Sequence, residues 1–128
     1  MKIILSLIAL LTAFVFNGIA ADDTAKTGKL RHVVALKFKE GTAAKDIQKV
    51  ENAFRDLKKR IPQISALEWG TNNSPEKHDK GFTHCFILTF KTEKDREAYL
   101  PHPDHKAFGK ILGPVLADVF VIDYWAKD

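Results

Sequence analysis

Two stretches of this chain alternate with a period of two, and each opens its apolar face with a histidine. From Arg31 to Lys39, His32, Val34, Leu36 and Phe38 fall on one face and Val33, Ala35 and Lys37 on the other. From Phe82 to Lys91, His84, Phe86, Leu88 and Phe90 share a face. A period of two belongs to a strand, whose successive side chains point to opposite sides of a sheet. The chain therefore needs a sheet, and both runs put an imidazole where the aromatic and aliphatic side chains point. The reverse faces are not uniformly polar either, because they carry Val33, Ala35, Cys85 and Ile87.

The segments between and after these runs complete the architecture. Thr42 can cap a helix in which Ile47, Val50, Phe54, Leu57 and Ile61 recur at steps of three and four, and Pro62 stops it. Ile64 to Thr71 reads as a second strand with Leu67 and Trp69 on one face, followed by a polar loop from Asn72 to Gly81 that holds an exposed His78. Thr92, with Asp95 three residues on, opens a short helix that Pro101 and Pro103 end. Pro103 suits the first position of a further helix, which places His102 beside its start and His105 one turn inside. Asp118 to Trp125 makes a closing strand. Strand, helix, strand, strand, helix, strand is the ferredoxin-like βαββαβ arrangement, an α+β fold with helices on one face of a four-stranded antiparallel sheet. The face bearing Val33, Ala35, Cys85 and Ile87 is left uncovered, and a second copy packed sheet to sheet would bury it in a twofold, barrel-like homodimer.

Residues 1–20 read as an export signal, with Lys2 as the positive start, Ile3 to Phe16 as the apolar run, and small residues before a cleavage point. The run is about 14 residues, short of the roughly 20 that span a membrane. The expectation is an exported protein, periplasmic or extracellular, with a flexible spacer at residues 21–29 and no membrane attachment once the leader is cleaved. Loss of Lys2 takes the formal charge from +4 to +3, with both signs interspersed. Lys58-Lys59-Arg60 ends a helical pattern, where cations meet the negative end of the helix dipole, and no groove-reading or stacking motif accompanies it, so nucleic acid is not an expected partner. The single cysteine, Cys85, cannot form an internal disulfide.

Histidine exchanges protons near neutrality, so several converging with a tyrosine make a proton-handling pocket. The candidates are His32, His84 and the segment Tyr99-Leu-Pro-His-Pro-Asp-His105. The same residues also admit a structural role, with His102 and His105 satisfying groups at a helix start, His84 as a core histidine and Tyr99 as packing. His102 and His105 are three apart and can share a helix face, but no cysteine or second carboxylate clusters with them, so neither a metal nor a cofactor is expected.

His32-Val-Val-Ala-Leu-Lys-Phe38, Trp69-Gly70, Gly81-Phe-Thr-His84, Tyr99-Leu-Pro-His-Pro-Asp-His-Lys-Ala-Phe108 and Val121-Ile-Asp-Tyr124 together resemble the stress-responsive A/B barrel, or Dabb, family of dimeric α+β barrels. The likeness covers essentially all of residues 30–127. It implies a pocket between the helix-facing side of the sheet and the helices, and a dimer through the opposite side. The family's well-defined chemistry is that of a cofactor-free plant polyketide cyclase performing an aldol condensation. By resemblance Tyr99 and His105 match its catalytic pair, and His32 and His84 match histidines lining its pocket. Phe54 departs from the pattern, standing where that cyclase has a tyrosine, and an exported chain would not meet a polyketide made in the cytosol. The resemblance thus implies a small phenolic or carboxylate-type ligand in a pocket lined by His32, His84, His102, Phe38, Phe54, Phe86 and Leu88. The alternative is a cyclase- or isomerase-like acid/base enzyme, with His105 as general base and Tyr99 orienting it or donating to a developing oxyanion.

Overall fold

The first alternating run forms β1 (Leu30–Phe38), one of the two inner strands of a four-stranded antiparallel sheet. The fold is known from a computed structural model that describes residues 29–127, so the expected leader and nearly all of the expected spacer lie outside the described residues. β1 is followed by α1 (Ala44–Arg60), β2 (Ala66–Thr71), β3 (His84–Phe90), α2 (Glu93–Tyr99), α3 (Pro103–Leu112), a 3-10 turn (Gly113–Val115) and β4 (Leu116–Trp125). The strand order β2-β3-β1-β4, all neighbours antiparallel, is that of a ferredoxin-like α+β fold.

Alternation decides what is buried. Leu30, His32, Val34 and Leu36 of β1 and His84, Phe86, Leu88 and Phe90 of β3 are all under the helices, where they meet Val50, Phe54 and Leu57 of α1, Tyr99 of α2, and Phe108 and Leu112 of α3. Ile61 and Ile64 close the same core on either side of Pro62. The basic turn Lys58-Lys59-Arg60 does end α1.

Two local expectations are corrected. Thr42 does not cap α1: Ala43 holds that position without a side-chain hydrogen bond, and the Thr42 hydroxyl instead donates to the Lys39 carbonyl at 2.5 Å. The reason is the preceding turn, in which Gly41 takes φ 77° and brings Thr42 back over Lys39. β2 and β3 each begin two residues later than the alternation suggests. A turn bond from Ile64 N–H to Ile61 C=O and another from Phe82 N–H to Asp79 C=O occupy the residues just before them. Thr92, by contrast, caps α2 as expected, accepting from Asp95 N–H at 3.1 Å.

The opposite face of the sheet is covered by no helix among the described residues. It carries Val33, Ala35, Cys85 and Ile87 and, by the register of β4 on β1, Phe120, Ile122 and Tyr124, the last three between 45% and 52% exposed. Val119 and Val121 pair with Leu36 and Val34 and so lie on the helix side, yet both remain exposed because β4 is the sheet's edge. Among the described residues no helix is long and apolar enough to cross a membrane.

Candidate functional site

Tyr99 is the last residue of α2 and is almost wholly enclosed, at 1% exposure. Its ring lies 5.7 Å from that of His32, edge to face, 5.3 Å from Phe90, and 4.3 Å from that of His105. Burial, and after it the negative charge of Asp123, raises the Tyr99 phenol well above the ordinary tyrosine range, so the group stays protonated and available as a donor. Among the described residues no hydrogen bond engages the Tyr99 hydroxyl.

His105 sits in the first turn of α3, and its Nδ1 is 2.8 Å from the carbonyl of Leu100. A carbonyl only accepts, so Nδ1 carries the proton and Nε2 of the neutral ring is left as an acceptor. The bond also satisfies a carbonyl at the end of α2, where intrahelical partners run out. His102 caps α3, its Nδ1 accepting from Asp104 N–H at 3.1 Å, with Pro103 at the first helical position. The Pro-His-Pro-Asp-His segment thus ends one helix and starts the next, and it places His105 beside Tyr99 as it does so.

His32 completes this group from the sheet. Its Nδ1 donates to Asp123 Oδ1 at 2.6 Å, and Arg96 Nη1 donates to Asp123 Oδ2 at 2.9 Å. β1, β4 and α2 therefore meet in one charged, hydrogen-bonded chain next to Tyr99. Neither Asp123 nor Arg96 stands out in the sequence. Their association depends on β4 pairing with β1 so that Asp123 falls opposite His32.

His84 belongs to a different neighbourhood. It lies opposite Leu36, four residues along β1 from His32, a separation of about 13 Å. Its Nε2 donates to Glu51 Oε1 of α1 at 2.9 Å, its Nδ1 accepts from the Thr83 hydroxyl at 2.8 Å, and it packs against Phe38 and Trp69. A cleft of about 460 Å³ reaches it from the uncovered side, lined by Trp69, Gly70, Phe82, Cys85 and Ile87 among others. Burial, then Glu68, raises the Cys85 thiol in that cleft.

Of the residues expected to line one pocket, the structure gathers His32, Tyr99 and His105, with His102 beside them as a helix cap. His84 and Phe38 are placed together elsewhere. Phe54, Phe86 and Leu88 are at 1% exposure or less, and Phe54 is stacked on Phe86 at 3.8 Å with Phe108 against it at 4.8 Å, so they form packed core and not a pocket lining. Among the described residues no three His, Cys, Asp or Glu side chains converge in a metal-binding arrangement.

Residues 30–126 match the family model of the stress responsive A/B barrel domain. The chain is 33% identical over 97 residues to the stress-response A/B barrel domain-containing protein HS1 of Arabidopsis thaliana, covering 76% of this chain and 89% of that protein. Olivetolic acid cyclase of Cannabis sativa is 24% identical, with 74% and 94% covered. Among solved structures, hydroxynitrile lyase from Passiflora edulis superposes with a TM-score of 0.73 at 25% identity, covering 79% of this chain and 95% of that one. A dimeric ferredoxin-like protein of unknown function from Bacteroides fragilis superposes with a TM-score of 0.63 at 26% identity, with 77% and 97% covered. The matched span takes in every strand and helix described above, and on it the chain belongs to the stress responsive A/B barrel domain family.

Proposed function

We propose that the protein is an exported homodimer that binds a small phenolic or carboxylate-type molecule beside Tyr99, His105 and His32. The observation that carries this reading is the Tyr99–His105 pair. A phenol held protonated by burial stands 4.3 Å, ring to ring, from an imidazole whose Nδ1 is engaged and whose Nε2 is an acceptor. A ligand hydroxyl fits such a pair in both directions, donating to His105 Nε2 and accepting from Tyr99 O–H. The ring of Phe90, packed against Tyr99 and His32, supplies an apolar wall, and binding requires the packing around Tyr99 to open toward the half-buried His102 and His105. The uncovered sheet face supports the dimer, as does the dimeric ferredoxin-like relative.

A second reading is favoured by the same lone pair. His105 Nε2 can take a proton from an acidic O–H or C–H while Tyr99 O–H hydrogen-bonds the oxyanion that develops, which is acid/base catalysis without a cofactor. Relatives named as a cyclase and as a hydroxynitrile lyase support it.

Native mass spectrometry of the chain begun at Ala21, purified from its secreting host and then challenged with a panel of phenols and aromatic carboxylates, tests the binding reading. A retained or selected small molecule, held more weakly by His105→Ala and by Tyr99→Phe, is the expected result. Binding as tight in both variants as in the wild type would sink it. Turnover of the selected compound separates the enzyme from the binding protein.

A further inference from the structure

We propose that Arg96 is the positioning residue of this site, holding Asp123 so that His32 keeps one tautomer; the inference rests on the reading of His32, Tyr99 and His105 as a ligand site. Asp123 comes from an edge strand and is 23% exposed, so on its own its carboxylate has water as a competing partner. Its two oxygens are divided between two donors, Oδ1 to His32 Nδ1 at 2.6 Å and Oδ2 to Arg96 Nη1 at 2.9 Å. A carboxylate that is fixed at one oxygen cannot turn away from the other. With Asp123 held, the His32 proton stays on Nδ1 and Nε2 remains an acceptor in a ring that faces Tyr99 edge-on at 5.7 Å.

The placement of Arg96 strengthens the case. It lies three residues before Tyr99 on α2, so both side chains project from one side of that helix. The same helix is tied to the end of β4 a turn earlier, where Trp125 Nε1 donates to Glu93 Oε1 at 3.1 Å. Glu93, Arg96 and Tyr99 form one stripe, of which the first two members anchor α2 to β4 and the third enters the site. Arg96 thus sets both the orientation of His32, through Asp123, and the seat of Tyr99, through the helix. It touches neither the Tyr99 ring nor His105 in any ring contact or hydrogen bond described above, so its effect is transmitted and not direct.

The test reads the imidazole nitrogens of His32 by long-range 15N–1H NMR in the intact mature protein, with His32→Gln to assign the signals. The wild type should show the Nδ1–H form alone. Arg96→Leu should give a mixture of tautomers, Arg96→Gln a partial mixture, and Arg96→Lys a return to one form, because a lysine ammonium restores the charge on Oδ2. In parallel, binding of 4-ethylphenol is followed by NMR titration, and Arg96→Leu should weaken it by about tenfold, the scale of one charge-assisted hydrogen bond. A single Nδ1–H tautomer persisting in Arg96→Leu overturns the inference whatever the phenol does. If instead the wild type does not bind the phenol while the tautomer follows Arg96 as described, the ligand-site reading fails and the positioning of His32 by Arg96 stands.

Discussion

Replacing Tyr99 with phenylalanine deletes one oxygen and leaves the ring contacts with His32, Phe90 and His105 in place. The structure shows no hydrogen bond to that oxygen among the described residues, so no partner is lost among them. The expected change in stability is within about 1 kcal/mol and of either sign, since the cost of a buried hydroxyl is removed along with it. Tyr99→Ala is a different perturbation. It empties a site at 1% exposure and should cost about 3–5 kcal/mol. Urea melts followed by the fluorescence of Trp69 and Trp125 separate the two. With a slope of about 2 kcal/mol per molar, the phenylalanine midpoint should lie within about 0.5 M of the wild type and the alanine midpoint more than about 1.5 M below it. All melts are made at one protein concentration, because association shifts apparent stability. In the same phenylalanine variant, affinity for the phenol selected in the native mass experiment should drop by about three- to tenfold. A Tyr99→Phe midpoint as low as that of Tyr99→Ala would refute the reasoning, since it would mean that the hydroxyl is part of the scaffold.

Three further outcomes are expected. Because the Tyr99 pKa is raised in the folded state, the fold binds more protons than the unfolded chain above the ordinary tyrosine value of about 10. The stability due to this group is complete below that pH and is lost as pH rises beyond it. Alkaline melts should show a steeper decline in the wild type than in Tyr99→Phe. Ile122→Lys, on the uncovered sheet face, should split the dimer into folded monomers in sedimentation velocity, since the lost burial of about 1.5–3 kcal/mol is counted once in each protomer. Cys85, on the same face, should react faster with a thiol reagent in that variant than in the wild type. Treatment with a chelator should leave melting and phenol binding unchanged, and one zinc per chain lost on His105→Ala would overturn that expectation.

What the sequence made legible follows from period. Alternation over Arg31–Lys39 and Phe82–Lys91 assigns a face to every side chain, which is why His32 and His84 lie with the core aromatics. Pro101 and Pro103, on either side of His102, supplied the break between the two short helices, and with it the position of His105 one turn inside the second. Register is a different kind of information. His32 and Asp123 are 91 residues apart, and nothing local in either segment says that they face each other. Arg96 reads as a solvated charge on a short helix until β4 is in place, and Glu51 likewise until His84 is set against α1. Thr42 and Thr92 make the same point for caps. One residue type precedes both helices, but the turn at Gly41 diverts the first hydroxyl to Lys39. Periodicity also cannot distinguish an apolar lining from a filled core, and Phe54 stacked on Phe86 is filled core.

Val119 to Ile122 form an unbroken apolar run on the strand that ends the sheet, with one backbone edge unpaired among the described residues and all four side chains between 42% and 52% exposed. Short, uncharged, β-prone segments on an open edge are templates for pairing with other chains. Here the run is bounded by Asp118 and Asp123, carboxylates of the kind that keep such segments from aggregating. Asp123 is therefore placed to oppose such pairing in a lone protomer, besides its hydrogen bond to His32. Its neutralisation in Asp123→Asn should leave a protein that is both poorer at holding a phenol and poorer at staying in solution before it assembles, two defects with one electrostatic origin.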